Sequence, residues 1–285
     1  MDNRKVAFIG GDRRQLVAAE CFAENGYEVY IHGFEKYEGE INKPIPVDSI
    51  KKAVGNAGII ILPLPYSTDK QHINTPLGLK KISCEEVLLH LNKEQILFGG
   101  KLNDNIYISH KNTFDYYECE ELKILNAIPT AEGAIAIAMN ELPVTLHSTR
   151  CAILGFGRIG KILAHMLKGL GSEVTIYARK ESDLALAEAY GYKGMKINEL
   201  STVNAEVIYN TVPTVLLTKP VLEHIDKNTL IIDLAARPGG IDFEAAKEMN
   251  LNVIWALSLP GKFAPVTAGE IIYKCISSII AKEVN

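Results

Sequence analysis

The sequence predicts an α/β protein made of two doubly wound parallel-sheet domains with a ligand cleft between them. Three observations predict it. Short apolar runs alternate with stretches of helical periodicity along the chain, the pattern of repeated β-α units joined by short connections. One such unit, in mid-chain, carries a G-x-G-x-x-G turn at Gly155, Gly157 and Gly160. A strongly helical segment over 130–141, followed by Pro143, separates the units before that turn from those after it. A chain of 285 residues has room for two medium domains.

The first domain is expected over 1–129, joined by a returning C-terminal helix at 268–285. Its first strand, 5–9, runs into Gly10-Gly11. A helix follows over 13–24, with Leu16, Ala19, Phe22 and Ala23 inward, and Gly26 stops it. Strands are expected at 27–32, 58–62, 95–98 and 105–109, with helices at 49–53 and 84–91 between them. Pro63-Leu64-Pro65 ends the third strand and Gly99-Gly100 the fourth. Thr130 and Glu132 read as the cap and first-turn carboxylate of the hinge helix.

The second domain is expected over 130–267. The apolar run 151–154 feeds the glycine turn, and a helix over 161–170 leaves it. Further strands are expected at 173–177, 206–210, 230–234 and 252–255. Residues 258–267 read as a rigid loop, and the stripe Ile271, Ile272, Cys275, Ile276 and Ile279 as the packed face of the last helix.

Composition excludes several classes. A net charge of −4 gives no reason to expect nucleic acid or an anionic membrane. Five scattered cysteines without a C-x-x-C pair, and seven histidines without ligand spacing, indicate neither a disulfide framework nor a metal site. No secretory leader is evident, and no apolar run is read as reaching the length of a membrane helix, about 18 residues. We expect a cytoplasmic, reduced protein and a homo-oligomer.

The glycine turn carries the firmest chemistry. Gly155 permits the tight turn, Gly157 lets backbone approach a pyrophosphate, and Gly160 allows close helix–strand packing. Phe156, Arg158 and Ile159 complete the turn, and the helix N-terminus adds free N–H groups and partial positive charge. Enzymes that favour NAD place a carboxylate at the end of the next strand, on the ribose hydroxyls. Here Ala178 is followed by Arg179 and Lys180, a basic pair that suits the 2′-phosphate of NADP, although NAD stays possible and a solvated turn would read the same way.

Other strand ends supply candidates. Asn210-Thr211-Val212-Pro213 suits contact with the nicotinamide ribose, or is a plain strand-ending turn. Asp233 ends an apolar run, where an idle carboxylate is costly to bury. Arg237 could hold a substrate carboxylate by a bidentate contact, unless it pairs with Asp233. Lys262 and Thr267 are candidate anion ligands. Gly10, Gly11, Arg13 and Arg14 read as a carboxylate-binding corner of the first domain. Asp233, Arg237 and Lys262 are the catalytic candidates.

The layout is similar to the D-2-hydroxyacid and alanine dehydrogenase group. The catalytic histidine of the hydroxyacid enzymes, however, has no counterpart between Trp255 and Gly269. A resemblance over nearly the whole chain is to the dipicolinate synthase A-chain family. It rests on Ile9-Gly-Gly-Asp-Arg-Arg14, Ile128-Pro-Thr-Ala-Glu-Gly133, Gly155-Phe-Gly-Arg-Ile-Gly160, Asn210-Thr-Val-Pro213, Asp233-Leu-Ala-Ala-Arg-Pro-Gly-Gly240 and Leu259-Pro-Gly-Lys-Phe-Ala-Pro-Val-Thr-Ala-Gly269. The resemblance implies NADP-linked oxidation of a dihydrodipicolinate-type ring to pyridine-2,6-dicarboxylate. It also implies a partner, the flavoprotein subunit of dipicolinate synthase, and a role in the mother cell during sporulation. Two other readings remain: an amino-acid or 2-hydroxyacid dehydrogenase of the alanine dehydrogenase type, and a cofactor-binding subunit without turnover.

Overall fold

The computed structural model describes residues 4–283. Alternating β-rich and helical sequence folds into β1 (Lys5–Ile9), α1 (Arg13–Glu24), β2 (Glu28–His32), β3 (Ile45–Pro46), α2 (Ile50–Asn56), β4 (Ile59–Ile61), β5 (His72–Ile73), β6 (Ile82–Ser83), α3 (Cys84–His90), β7 (Ile96–Gly99), α4 (Asp104–Ser109), β8 (Thr113–Asp115) and α5 (Glu120–Leu125). Then come α6 (Ala127–Glu141), β9 (Arg150–Leu154), α7 (Arg158–Gly169), β10 (Glu173–Ala178), α8 (Glu181–Ala189), β11 (Lys193–Lys196), β12 (Val207–Asn210) and α9 (Lys219–Leu222). The chain closes with β13 (Leu230–Asp233), α10 (Phe243–Glu248), β14 (Asn252–Trp255), α11 (Leu259–Phe263) and α12 (Pro265–Glu283).

The chain divides into two units. One comprises the described residues up to Asn126 together with those from Ala264 onward; the other is Ala127–Phe263. Each holds a six-stranded parallel sheet. The orders are β3-β2-β1-β4-β7-β8 and β11-β10-β9-β12-β13-β14. In both, the direction in which strands are added reverses beside the first strand of the unit, and ligands of such sheets bind at the carboxyl ends of the strands at that reversal.

Both sheets are covered on two faces, so their strands are apolar throughout rather than alternating. In β1, Val6 and Phe8 join one core while Ala7 and Ile9 join another. In β9, Cys151 and Ile153 face one side, Ala152 and Leu154 the other. Helix α12 lies on α1: Ile271, Ile272, Cys275 and Ile276 share a core with Leu16, Ala19 and Phe22. Gly269 makes the approach possible, since a Cβ there would stand 2.6 Å from both the Arg14 carbonyl oxygen and Val17 Cβ.

Several elements differ from the sequence expectation. Residues 105–109 form helix α4, not a strand. Asn103 caps it by accepting from the Ile106 amide, and Asp104 sits in its first turn, so capping outweighs the β-branched character of Ile106 and Ile108. The sixth strand is β8, paired with β7. The edge strands β3 and β11 are polar or contain proline and lack an apolar signature. The hinge helix begins at Ala127, which leaves Thr130 and Glu132 inside it rather than at its cap. The expected loop 258–267 is instead the short helix α11 and the start of α12, with Pro260 and Pro265 in first-turn positions where a missing N–H costs nothing.

One stretch, Glu120–Glu141, has the length and hydropathy of a membrane-crossing helix by composition alone, 22 residues at 1.3, contrary to the expectation from apolar runs. Its apolarity comes from α6, whose Ala131, Ala134, Ile135 and Ala138 belong to the core of the second unit. All five cysteines are free thiols. Burial pushes the Cys151 thiol up to about 12, a protonated and unreactive state at neutral pH.

Candidate dinucleotide site

The glycine turn sits after β9, at the reversal point between β9 and β12. Gly155 has φ +94°, and a Cβ there would lie 2.6 Å from Thr211 Oγ1 and 2.7 Å from Val212 Cγ2. Only glycine fits this position. Thr211 Oγ1 donates to the Leu154 carbonyl at 2.8 Å, which ties the loop after β12 to the turn. Gly160 packs so closely that a Cβ would collide with the Gly155 carbonyl oxygen. Gly157 differs from both: a Cβ there meets nothing within 4 Å. It caps α7 without any side-chain hydrogen bond. An open, uncapped helix N-terminus bordered by close-packed glycines is the cradle a pyrophosphate requires, so these residues fit a dinucleotide.

The Phe156 ring is buried among core residues and makes edge contacts with Tyr190 and Tyr192. Ile159 packs against the same core, and Arg158 is exposed. At the end of β10, Ala178 is buried while Arg179 and Lys180 are exposed, and no ion pair engages either among the described residues. The nearest carboxylate in sequence, Glu181, is drawn to Lys196 at 2.8 Å.

Two candidates prove to be internal. Asn210 and Asp233 are register partners at the ends of β12 and β13, both 0% exposed. Asn210 Nδ2 donates to Asp233 Oδ1 at 2.8 Å and to the Val212 carbonyl at 3.0 Å, while its Oδ1 accepts from the Val212 amide at 3.1 Å. Asp233 also accepts from the Ala235 amide at 3.0 Å and the Gly240 amide at 2.9 Å. The polar atoms of Asn210 and Asp233, expected at a ribose contact and as a catalytic carboxylate, are engaged by neighbours, and they hold the loops after β12 and β13 in shape. Pro213 is exposed in the first of those loops.

Arg237 is exposed in the second loop, and no Asp233 pairing holds it. Its guanidinium carbon stands 5.4 Å from the centre of the Trp255 ring, at the end of the adjacent strand β14. Lys262 is exposed on α11, and Thr267 is exposed on α12. Trp255 carries no signal in the sequence beyond its being the sole tryptophan.

In the first unit the glycine corner is filled by protein. Gly10 has φ +69°, and a Cβ there would lie 2.5 Å from Thr75 Cγ2 and 3.1 Å from the Asn74 carbonyl. Gly11, at φ +115°, packs on Gln15. Helix α1 is capped by the chain's own carboxylate: Asp12 accepts from the Arg14 amide at 3.0 Å. The buried Arg14 guanidinium donates to Asp12 at 2.8, 2.9 and 3.1 Å and to the Leu64 carbonyl at 2.7 Å. The expected carboxylate-binding corner at Gly10, Gly11 and Arg14 is therefore already supplied with an internal carboxylate. Arg13 is exposed, in a hollow shared with Glu20, Glu24 and Glu270. Arg14→Met should cost about 2 kcal/mol in urea unfolding, because it orphans a half-shielded carboxylate and a buried carbonyl. A variant of unchanged stability but weakened carboxylate binding would show instead that the Asp12–Arg14 pair opens for a ligand.

The fold and turn define a class: an α/β oxidoreductase with a dehydrogenase-type domain for a nicotinamide dinucleotide. The D-isomer specific 2-hydroxyacid dehydrogenase NAD-binding domain matches residues 130–248. The N-terminal domain of the dipicolinate synthase A chain matches residues 5–116. The dipicolinate synthase A chain of Bacillus subtilis (strain 168) is 32% identical over 290 residues, covering 98% of this chain and 96% of that one. The crystal structure of the Bacillus subtilis A chain has a TM-score of 0.87 at 30% identity, covering 99% of this chain and 97% of that one. The Bacillus halodurans A-chain structure has a TM-score of 0.88 at 27% identity, covering 97% of each. A transhydrogenase from Sinorhizobium meliloti shares the fold, with a TM-score of 0.71 at 15% identity over 98% of this chain and 94% of its own. The chain belongs to the dipicolinate synthase A-chain family.

Proposed function

We propose that the chain oxidises a dihydrodipicolinate-type ring to pyridine-2,6-dicarboxylate with NADP as acceptor, alongside a flavoprotein partner subunit, in the cytoplasm of a sporulating cell. One observation carries the reading beyond the family name. A dinucleotide cradle and an exposed, aromatically seated arginine, Arg237, stand at the carboxyl end of the same sheet. Loss of one hydride and one proton from the dihydro ring yields the aromatic pyridine. The nicotinamide, when bound, supplies the hydride acceptor. The gain of aromaticity drives the step, so an activated base of the histidine type is not required. Arg237 binds one substrate carboxylate as a bidentate pair, and Lys262 and Thr267 are proposed for the remaining anionic groups. Arg179 and Lys180 would hold the 2′-phosphate.

The cofactor choice is tested by Arg179→Ser combined with Lys180→Ser. Loss of two charge-assisted contacts from exposed side chains, about 1 kcal/mol each, should weaken NADP binding roughly ten- to a hundredfold in calorimetry and leave NAD binding nearly unchanged. Equal losses for both cofactors would end the NADP assignment. Turnover is tested by incubating the purified protein with NADP and dihydrodipicolinate, with and without the flavoprotein. Pyridine absorbance from the protein alone supports an enzyme, and product only with the partner present favours a cofactor-binding subunit.

A further inference from the structure

Asp233 clamps both ends of the loop after β13, through the Ala235 and Gly240 amides. The start of that loop is held from the neighbouring strand as well. Trp255 Nε1 donates to the Ala235 carbonyl at 3.0 Å. The indole stacks on Phe243, with ring centres 4.8 Å apart and planes 29° from parallel. The Arg237 guanidinium carbon lies 5.4 Å from the indole centre. Phe243 and the Arg237 guanidinium thus both lie against the indole, and the cation is exposed. A free arginine side chain carries rotamer entropy that a carboxylate must overcome when it fixes the group. A guanidinium placed over a ring loses much of that freedom beforehand and keeps its edge N–H donors available.

We propose that Trp255 is a positioning residue for substrate: it seats Arg237 as an oriented carboxylate receptor, and its indole therefore reports optically when that receptor is filled. The inference rests on the dicarboxylate reading above. No direct contact between Trp255 and substrate is needed. Binding of a carboxylate withdraws the guanidinium charge from the ring, which changes the emission of the chain's sole tryptophan.

Titration of the wild-type protein with pyridine-2,6-dicarboxylate, excited at the red edge of the indole band, should give a saturable change in emission. Arg237→Ala should abolish that change and weaken binding by at least about tenfold in calorimetry. Trp255→Leu should weaken dicarboxylate binding roughly three- to thirtyfold, the range of a cation–π contact, and raise KM more than it lowers kcat. It should leave NADP affinity as it was. Trp255→Phe keeps an aromatic face but not the Nε1 donor to the Ala235 carbonyl, and should restore part of the lost affinity. Normal binding by Trp255→Leu together with weakened binding by Arg237→Ala overturns the positioning role and leaves the dicarboxylate reading standing. Normal binding by Arg237→Ala overturns both at this residue. Should Trp255→Leu fail to fold, the wild-type and Arg237→Ala titrations decide alone: unaltered wild-type emission at saturating dicarboxylate sinks the proposal.

Discussion

Gly160→Val should destabilise the second unit by about 3 kcal/mol and weaken dinucleotide binding roughly a hundredfold. The first effect comes from overpacking against something that cannot yield: the branched side chain would occupy the place of the Gly155 carbonyl oxygen, backbone rather than a flexible side-chain end. The second follows because α7 must retreat from β9, and a displacement of about 1 Å at a positioned ligand costs about two orders of magnitude. Gly157→Ala is the informative contrast. Its backbone has φ −81°, and an added Cβ meets no protein atom within 4 Å. Urea unfolding should therefore be unchanged while calorimetric affinity for the dinucleotide falls. If Gly157→Ala binds normally, the pyrophosphate does not approach this backbone.

Asp233→Ala should lower the stability of the second unit by about 3–5 kcal/mol. It leaves three buried N–H groups without an acceptor: the amides of Ala235 and Gly240 and one N–H of Asn210 Nδ2, whose other N–H keeps the Val212 carbonyl. Asp233→Asn should also destabilise, by less, because an amide can satisfy some of those donors but turns one of its own N–H groups on the rest. Hydrogen exchange would place the loss: amides of β12, β13 and the loop between Leu234 and Gly240 should open, while those of the first unit keep their protection. An Asp233→Ala protein of wild-type stability that has lost turnover would restore the carboxylate to the chemistry instead.

The contrast between Asp233 and Gly155 shows what the sequence can and cannot disclose. The turn is legible because the positive φ of Gly155 and the close approach of Gly160 to the Gly155 carbonyl are set within six residues, and local sequence encodes local geometry. Apolar strands such as β1 and β13 are legible for the same reason. Asp233 stands out as a carboxylate in an apolar setting, but its three donors come from the loop that follows it and from the neighbouring strand β12, and no spacing encodes that. Arg14 shows the same limit: a partner two residues away, Asp12, and a carbonyl fifty residues on fix it internally. Helix α4 is easily mistaken because Ile106-Tyr-Ile108 has strand composition, while the deciding signal is one capping asparagine. The seat beneath Arg237 is invisible in the sequence, since Trp255 and Phe243 are ordinary apolar residues until β14 lies beside β13.

The path of the chain has one more consequence, for the order in which the protein is made. Helix α12 completes the core around Leu16, Ala19 and Phe22, yet it is synthesised only after all of Ala127–Phe263 has emerged. The later unit is an uninterrupted segment and can condense as it leaves the ribosome. The earlier one must wait, with the apolar flank of α1 bare, for a helix that closes a loop the length of a whole domain. A loop that long adds little to the entropy of closure once its interior is folded, because the cost grows only with the logarithm of the free chain. The first unit, translated first, should therefore complete its core last; pulse-labelled hydrogen exchange during refolding would show amides of α1 protected after those of β9 and β12.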